Sequence, residues 1–149
     1  MKENILLLCD VPPCKNYTGG LMISQMARLL LEEKHNIYCY CIMNPQLSPE
    51  LWDDLDKDIE MRIVERPSEH LDKDNTAKSY YSKIKNKTND LIKFATTHKI
   101  TKVWCALQGE VLTLLLKNLY DETKLPYVVQ IWDPMISFHR LFRLRYRQC

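Results

Sequence analysis

The run Ile5-Leu-Leu-Leu-Cys9 constrains this chain more than any other stretch. As a strand it leaves neither face for water, and such strands sit in the middle of parallel sheets covered on both sides. Asp10 ends the run. A loop punctuated by Pro12, Pro13, Gly19 and Gly20 follows. Behind the glycines, Ile23, Met26, Ala27, Leu30 and Leu31 recur at helical spacing, with Ser24, Gln25, Arg28 and Glu32 on the other side. A strand, a glycine-containing loop and a helix start suit an anion or a sugar. First-turn N–H groups have no partner inside the helix, and the helix dipole favours negative charge there.

The same alternation continues along the chain. Ile37–Ile42 reads as a second strand, and Ser48-Pro49-Glu50 opens a short helix over Pro49–Leu55. Ile59–Val64 alternates apolar and charged residues, which predicts an edge strand. After a charged linker, Glu69 to Asn75, a long helix is expected from Asn75 to His98, its inner face marked by Ala77, Tyr81, Ile84, Thr88, Leu91, Ile92 and Ala95. Lysines 78, 83, 85, 87 and 93 read as a solvated outer face, because no aromatic platform for bases is interleaved with them. Val103–Leu107, a helix over Val111–Tyr120, Pro126–Ile131 and a last helix over Met135–Tyr146 complete the pattern. The expected fold is a three-layer α/β Rossmann-like domain, a parallel sheet in the order 3-2-1-4-5 with helices on both faces. Ligands of such sheets bind beyond the carboxyl ends of the strands where the winding reverses. The segments that land there are Pro12–Gly20, Gln108–Glu110 and Trp132–Pro134.

At 149 residues the chain is expected to form one domain with a real core. Its 46% hydrophobic and 27% charged content is that of an ordinary soluble protein, and a net charge of +2 makes no case for nucleic acid. Nothing resembles a signal peptide or a membrane span, so a cytoplasmic location is expected. The six cysteines then read as thiols. Cys9, Cys39, Cys41 and Cys105 fall in strands as small apolar residues, and the spacing of Cys and His residues supports no metal site.

Familiar phosphate loops are missing. A dinucleotide fingerprint needs three spaced glycines, whereas the chain has three in all, two of them adjacent. No Gly-Lys-Ser/Thr occurs, and Val64-Glu-Arg-Pro67 lacks the aspartate of a phosphoacceptor domain. The first loop is also longer than the usual two to six or so residues, which marks it as functional. Gly19 and Gly20 would let backbone amides approach a phosphate or sugar, or else merely let the chain turn into the helix.

Asp10-Val-Pro-Pro13, then Thr18-Gly-Gly20, then a helix closing in Leu-Leu-Leu-Glu-Glu-Lys-His35 resembles the opening of the N-terminal domain of GT-B-fold glycosyltransferases of the family 4 type. His35 matches a Gly-His pair of those enzymes, with Lys34 in place of the glycine, and Val128–Pro134 is similar to their fifth strand. The resemblance implies an enzyme that moves a sugar from a nucleotide-sugar to a glycan or lipid-linked acceptor, with no cofactor or metal. It implies donor or acceptor contacts at Thr18, Gly19, Gly20, Gln108, Gly109 and Trp132. Asp133 falls where relatives carry a cleft His or Asp, or it caps the helix opened by Pro134. The resemblance further implies a donor-binding C-terminal domain, in cis or in trans, without which this half is expected to be inactive. The tail arginines Arg140, Arg143 and Arg147 oppose Phe138, Leu141 and Phe142. They suit either that second domain or an anionic membrane surface. The alternative is a stand-alone Rossmann-like module that binds an anionic metabolite without chemistry.

Overall fold

The computed structural model describes residues 1–67 and 77–131. Nine elements alternate along it: β1 (Asn4–Cys9), α1 (Thr18–Glu32), β2 (Asn36–Met43), α2 (Asp53–Asp58), β3 (Glu60–Glu65), α3 (Ala77–Thr97), β4 (Lys102–Leu107), α4 (Gly109–Thr123) and β5 (Tyr127–Ile131). The sheet has the order β3-β2-β1-β4-β5, with every neighbouring pair parallel. This is the expected Rossmann-like order, with β3 at an edge.

β1 pairs with β2 from Asn4↔Asn36 to Cys9↔Cys41 and with β4 from Ile5↔Lys102 to Leu8↔Cys105. Its side chains divide by parity. Ile5, Leu7 and Cys9 join Ile37, Cys39 and Cys41 beneath Ile23 and Ala27 of α1 and Leu55 of α2. Leu6 and Leu8 join Tyr40, Ile42, Val103 and Cys105 beneath α3 and α4, where Leu91, Leu112, Leu115 and Leu119 are all but inaccessible. Burying both faces is what an uninterrupted apolar strand demands.

Three left-handed helix ends explain how the chain manages with few glycines. Lys34, Lys99 and Lys124 take φ values of 69°, 50° and 54° just beyond α1, α3 and α4. Lys34 therefore occupies the backbone conformation that glycine prefers at a helix exit. His35 serves the structure at this point. Its Nδ1 accepts the Glu3 N–H at 3.1 Å, tying the exit of α1 to the entry of β1. Asn4 secures the same end of the sheet. Its amide donates to His98 O and Lys99 O at 3.1 and 3.0 Å and accepts from Asn36 Nδ2 at 2.8 Å.

Several local expectations change. α1 starts at Thr18, so both glycines lie inside its first turn. Ser24, expected at the surface, is only 2% exposed. Residues 48–52 are not the start of a helix; α2 spans Asp53–Asp58 because the preceding backbone pairs with the first loop. α4 is longer than expected at both ends. Tyr81, placed on the inner face of α3, is 58% exposed. Residues 68–76, Trp132, Asp133, the last helix and the arginines at 140, 143 and 147 lie outside the described residues.

Candidate functional site

The carboxyl ends of β1 and β4 are neighbours, and two unlike connections leave them. The first runs from Asp10 to Tyr17. It is half of a two-loop structure whose other half is the 44–52 segment after β2. Cys14 forms an antiparallel bridge to Leu51, and Lys15 N–H donates to Glu50 O at 2.8 Å. Asn16 works in both directions, donating from Nδ2 to Ser48 O at 2.9 Å and accepting the Glu50 N–H on Oδ1 at 2.8 Å. The Tyr17 hydroxyl accepts the Ser48 N–H at 3.1 Å. A loop of this length is therefore not loose, because its backbone groups are met by the neighbouring loop.

The same bracing reaches the first turn of α1. Cys14 N–H donates to Gly20 O, and the Ser24 hydroxyl donates to that same oxygen at 2.6 Å while accepting the Trp52 indole N–H at 2.9 Å. This role explains why Ser24 is buried. Gly20 is buried, and a Cβ there would lie 2.1 Å from Cys14 Sγ and 2.9 Å from Pro12 O. The absent side chain thus makes room for the chain's own loop. Thr18 is exposed and Gly19 half-buried at the helix start, with no acidic residue in the first turn. Trp52 stands beside this turn with Lys15 Nζ and the Arg28 guanidinium over its ring at 5.4 and 5.1 Å. Arg28 also pairs with Asp54 and holds that carboxyl below its usual range.

The second connection is brief. Gln108 caps α4 in an extended conformation, and Gly109 follows with φ 80°. Here a glycine is required by the backbone, since other residues are strained at that angle. Glu110 sits in the first turn of α4, so this helix start is electrostatically unlike that of α1.

Asp10, half-buried where β1 ends, carries a carboxyl pushed up from its usual range by burial and only partly restrained by its own backbone N–H and by Arg66. The sequence marked Asp10 as the end of a strand and the start of the Asp-Val-Pro-Pro motif, without assigning its carboxyl a role. Asn16 and Cys14 likewise carry no local signal, because their partners lie far along the chain or are hidden in glycine packing. Beneath the site, Cys9 and Cys39 bring their sulfurs to 3.6 Å. The hydrogen bond with Cys9 and burial push the Cys39 thiol well up, and burial takes Cys105 on the other face to about 12. Thiols held protonated in this way act as packing.

No protein-family model matches the sequence, and no curated protein sequence matches it. Solved structures do. Two crystal structures of the C-terminal domain of a hydrogenase from Pyrococcus furiosus each give a TM-score of 0.58, at 16% and 14% identity. They cover 88% and 87% of this chain and 93% and 94% of those chains. A glycosyltransferase from Rickettsia africae gives a TM-score of 0.56 at 15% identity, covering 95% of this chain and 33% of that enzyme. The chain thus spans about a third of that glycosyltransferase, and what the three likenesses share with it is the Rossmann-like fold.

Proposed function

We propose that this chain is the N-terminal, acceptor-side half of a GT-B glycosyltransferase that uses a nucleotide-sugar and a glycan or lipid-linked acceptor. The observation that carries the reading is the contrast between the two helix starts at the winding reversal. α1 offers Thr18 and Gly19 on a braced, acid-free turn, with Lys15 of the preceding loop close by over the Trp52 ring. α4 offers Gln108 and Gly109 next to the acid Glu110. The first suits the diphosphate of a donor and the second suits hydroxyl groups of a sugar. The glycosyltransferase likeness over 95% of the chain is in keeping with this division. The proposal extends to a donor-binding domain in cis or in trans, to no cofactor or metal, to a role for Trp132 and Asp133 in the cleft, and to an arginine face at 140, 143 and 147 that meets that domain or an anionic membrane on the cytoplasmic side. Alone, this half binds without turnover, because the charge that stabilises a leaving diphosphate is supplied from the other side of the cleft.

Titrating the labelled chain with UDP-, GDP- and ADP-hexoses tests this by amide NMR. The expected result is shifts at Thr18–Gly20 and Gln108–Glu110 with at least one donor, reduced by Gln108→Ala. Silence at both segments at millimolar donor overturns the reading. The second reading, a binding module for an anionic metabolite, is favoured by the hydrogenase likeness, in which a whole domain of this size is matched. It predicts shifts at the α1 turn with nucleoside diphosphate alone and none added by the sugar.

A further inference from the structure

A cavity of about 590 Å³ lies between α3 and α4, on the face of the sheet opposite α1 and α2. We propose that this groove binds a neutral carbohydrate, independently of the crevice at the strand ends and of the reading given to it.

The groove has the three features that sugar rings require. The first is a flat apolar platform. Tyr81 lines it and stays 58% exposed although its position falls on the inner stripe of α3. The ring is steadied by Tyr80, edge to face at 5.6 Å and 69°. Ile84, Ile92 and Leu114 extend the apolar floor, which suits the C–H faces of a pyranose.

The second feature is a pre-set amide. Asn118 Nδ2 donates to the Thr88 hydroxyl at 3.2 Å, and that hydroxyl donates to Ile84 O at 2.9 Å. Thr88 is only 6% exposed, so the chain of bonds is anchored in the core. It leaves Asn118 with a carbonyl oxygen and a second N–H on an already oriented group. A sugar hydroxyl, which both donates and accepts, matches that pair of atoms. Asn89 beside it on α3 adds a further amide to the lining.

The third feature is charge balance. Lys85 lines one side; Asp121 and Glu122 line the other. Asp121 gives one oxygen to Lys117 at 2.6 Å. Lys85 and the Lys117 bound to Asp121 match the two carboxylates, so no net charge draws in a phosphate or carboxylate ligand, while carboxylates accept well from hydroxyl groups. The balance therefore selects a neutral polyol over an anion.

Affinity electrophoresis of the native chain in gels containing soluble starch, a mixed-linkage β-glucan or a galactomannan tests the proposal. Retardation is expected in at least one gel, with the dissociation constant raised roughly tenfold by Tyr81→Ala and by Asn118→Ala. Tyr81 is exposed enough for its variant to remain folded, which keeps the test valid if Asn118→Ala destabilises the chain. No retardation in any of the three gels overturns the proposal, as does retardation that survives Tyr81→Ala. Loss with Gln108→Ala but not with Tyr81→Ala also overturns it, since the sugar would then lie at the crevice. Silence towards nucleotide-sugars would remove the glycosyltransferase reading and leave this groove standing.

Discussion

The two connections at the winding reversal use their glycines for opposite reasons. Gly20 sits within the first turn of α1 and is needed for space, because Cys14 and Pro12 occupy the volume a side chain would take. Gly109 is needed for its backbone, held at φ 80° to turn β4 directly into α4. The long connection is rigid through its neighbour and the short one through its dihedral angles. Sequence patterns treat all glycines alike, so the adjacent pair at 19 and 20 and Gly109 all read as candidate ligand contacts, with no sign that one is needed for space and another for its backbone angle. The lesson is that a glycine near a ligand crevice has to be asked what fills its missing side chain.

The sharpest break of the comparison is Gly20→Val. Overpacking against Cys14 Sγ and a backbone carbonyl is expected to cost about 3 kcal/mol, read as a lower urea midpoint with little change in slope. The double variant Gly20→Ala with Cys14→Ala should recover part of the loss incurred by Gly20→Ala alone, because the sulfur is the nearer obstacle. Equal stability of the single and double variants would mean that the loop does not rest on this glycine. The same steric argument makes Gly20→Val a poor probe of ligand binding, since folding suffers first.

Gly109→Ala should come next, at about 1–2 kcal/mol, from strain at a positive φ rather than from contact. Its diagnostic is insensitivity to any neighbouring truncation, the reverse of Gly20. Asn16→Ala follows, with about 1 kcal/mol expected from two exposed hydrogen bonds. Hydrogen exchange should quicken at the Glu50 amide, whose acceptor is removed, and stay unchanged in β1. If the Glu50 amide exchanges at the native rate, the two loops are not held together by Asn16.

The fold was legible because its signals are local. The unbroken Ile5–Cys9 run and the strand-forming second segment are apolar on both faces, which leaves few places in a sheet, and the charges alternating through the third strand put it at the edge. The site was less legible because its decisive contacts are between loops. Ser48-Pro49-Glu50 carries the local signature of a helix start, but the antiparallel bridge of Leu51 with Cys14 claimed that backbone for pairing instead. Ser24 looked like a surface residue until Trp52 supplied an indole N–H and Gly20 a carbonyl. Lys34 looked like a departure from a glycine pattern, whereas it keeps the left-handed backbone.

The smallest effect expected is also the one that bears on the crevice itself. Asp10 marks the end of β1 between the two connections, and burial raises its carboxyl while Arg66 restrains it only in part. A carboxyl whose folded pKa lies above its unfolded value binds more protons in the folded chain. Stability at that group is therefore greatest below the unfolded value near 3.8 and declines as pH climbs through the folded value. Asp90 behaves in the opposite sense: Arg62, bonded to it through Nε and Nη2 at 2.7 Å each, lowers its carboxyl, so its contribution is present at neutral pH and is lost on acidification. Asp10→Asn should consequently raise the unfolding midpoint at pH 7 slightly and leave it unchanged below about pH 3, where both forms are uncharged, whereas Asp90→Asn should lower it at pH 7. Urea midpoints measured from pH 3 to 7 separate the two. If Asp10→Asn weakens the fold at neutral pH, the carboxylate has a partner that offsets its burial, and the crevice floor is more strongly cationic than Arg66 alone makes it.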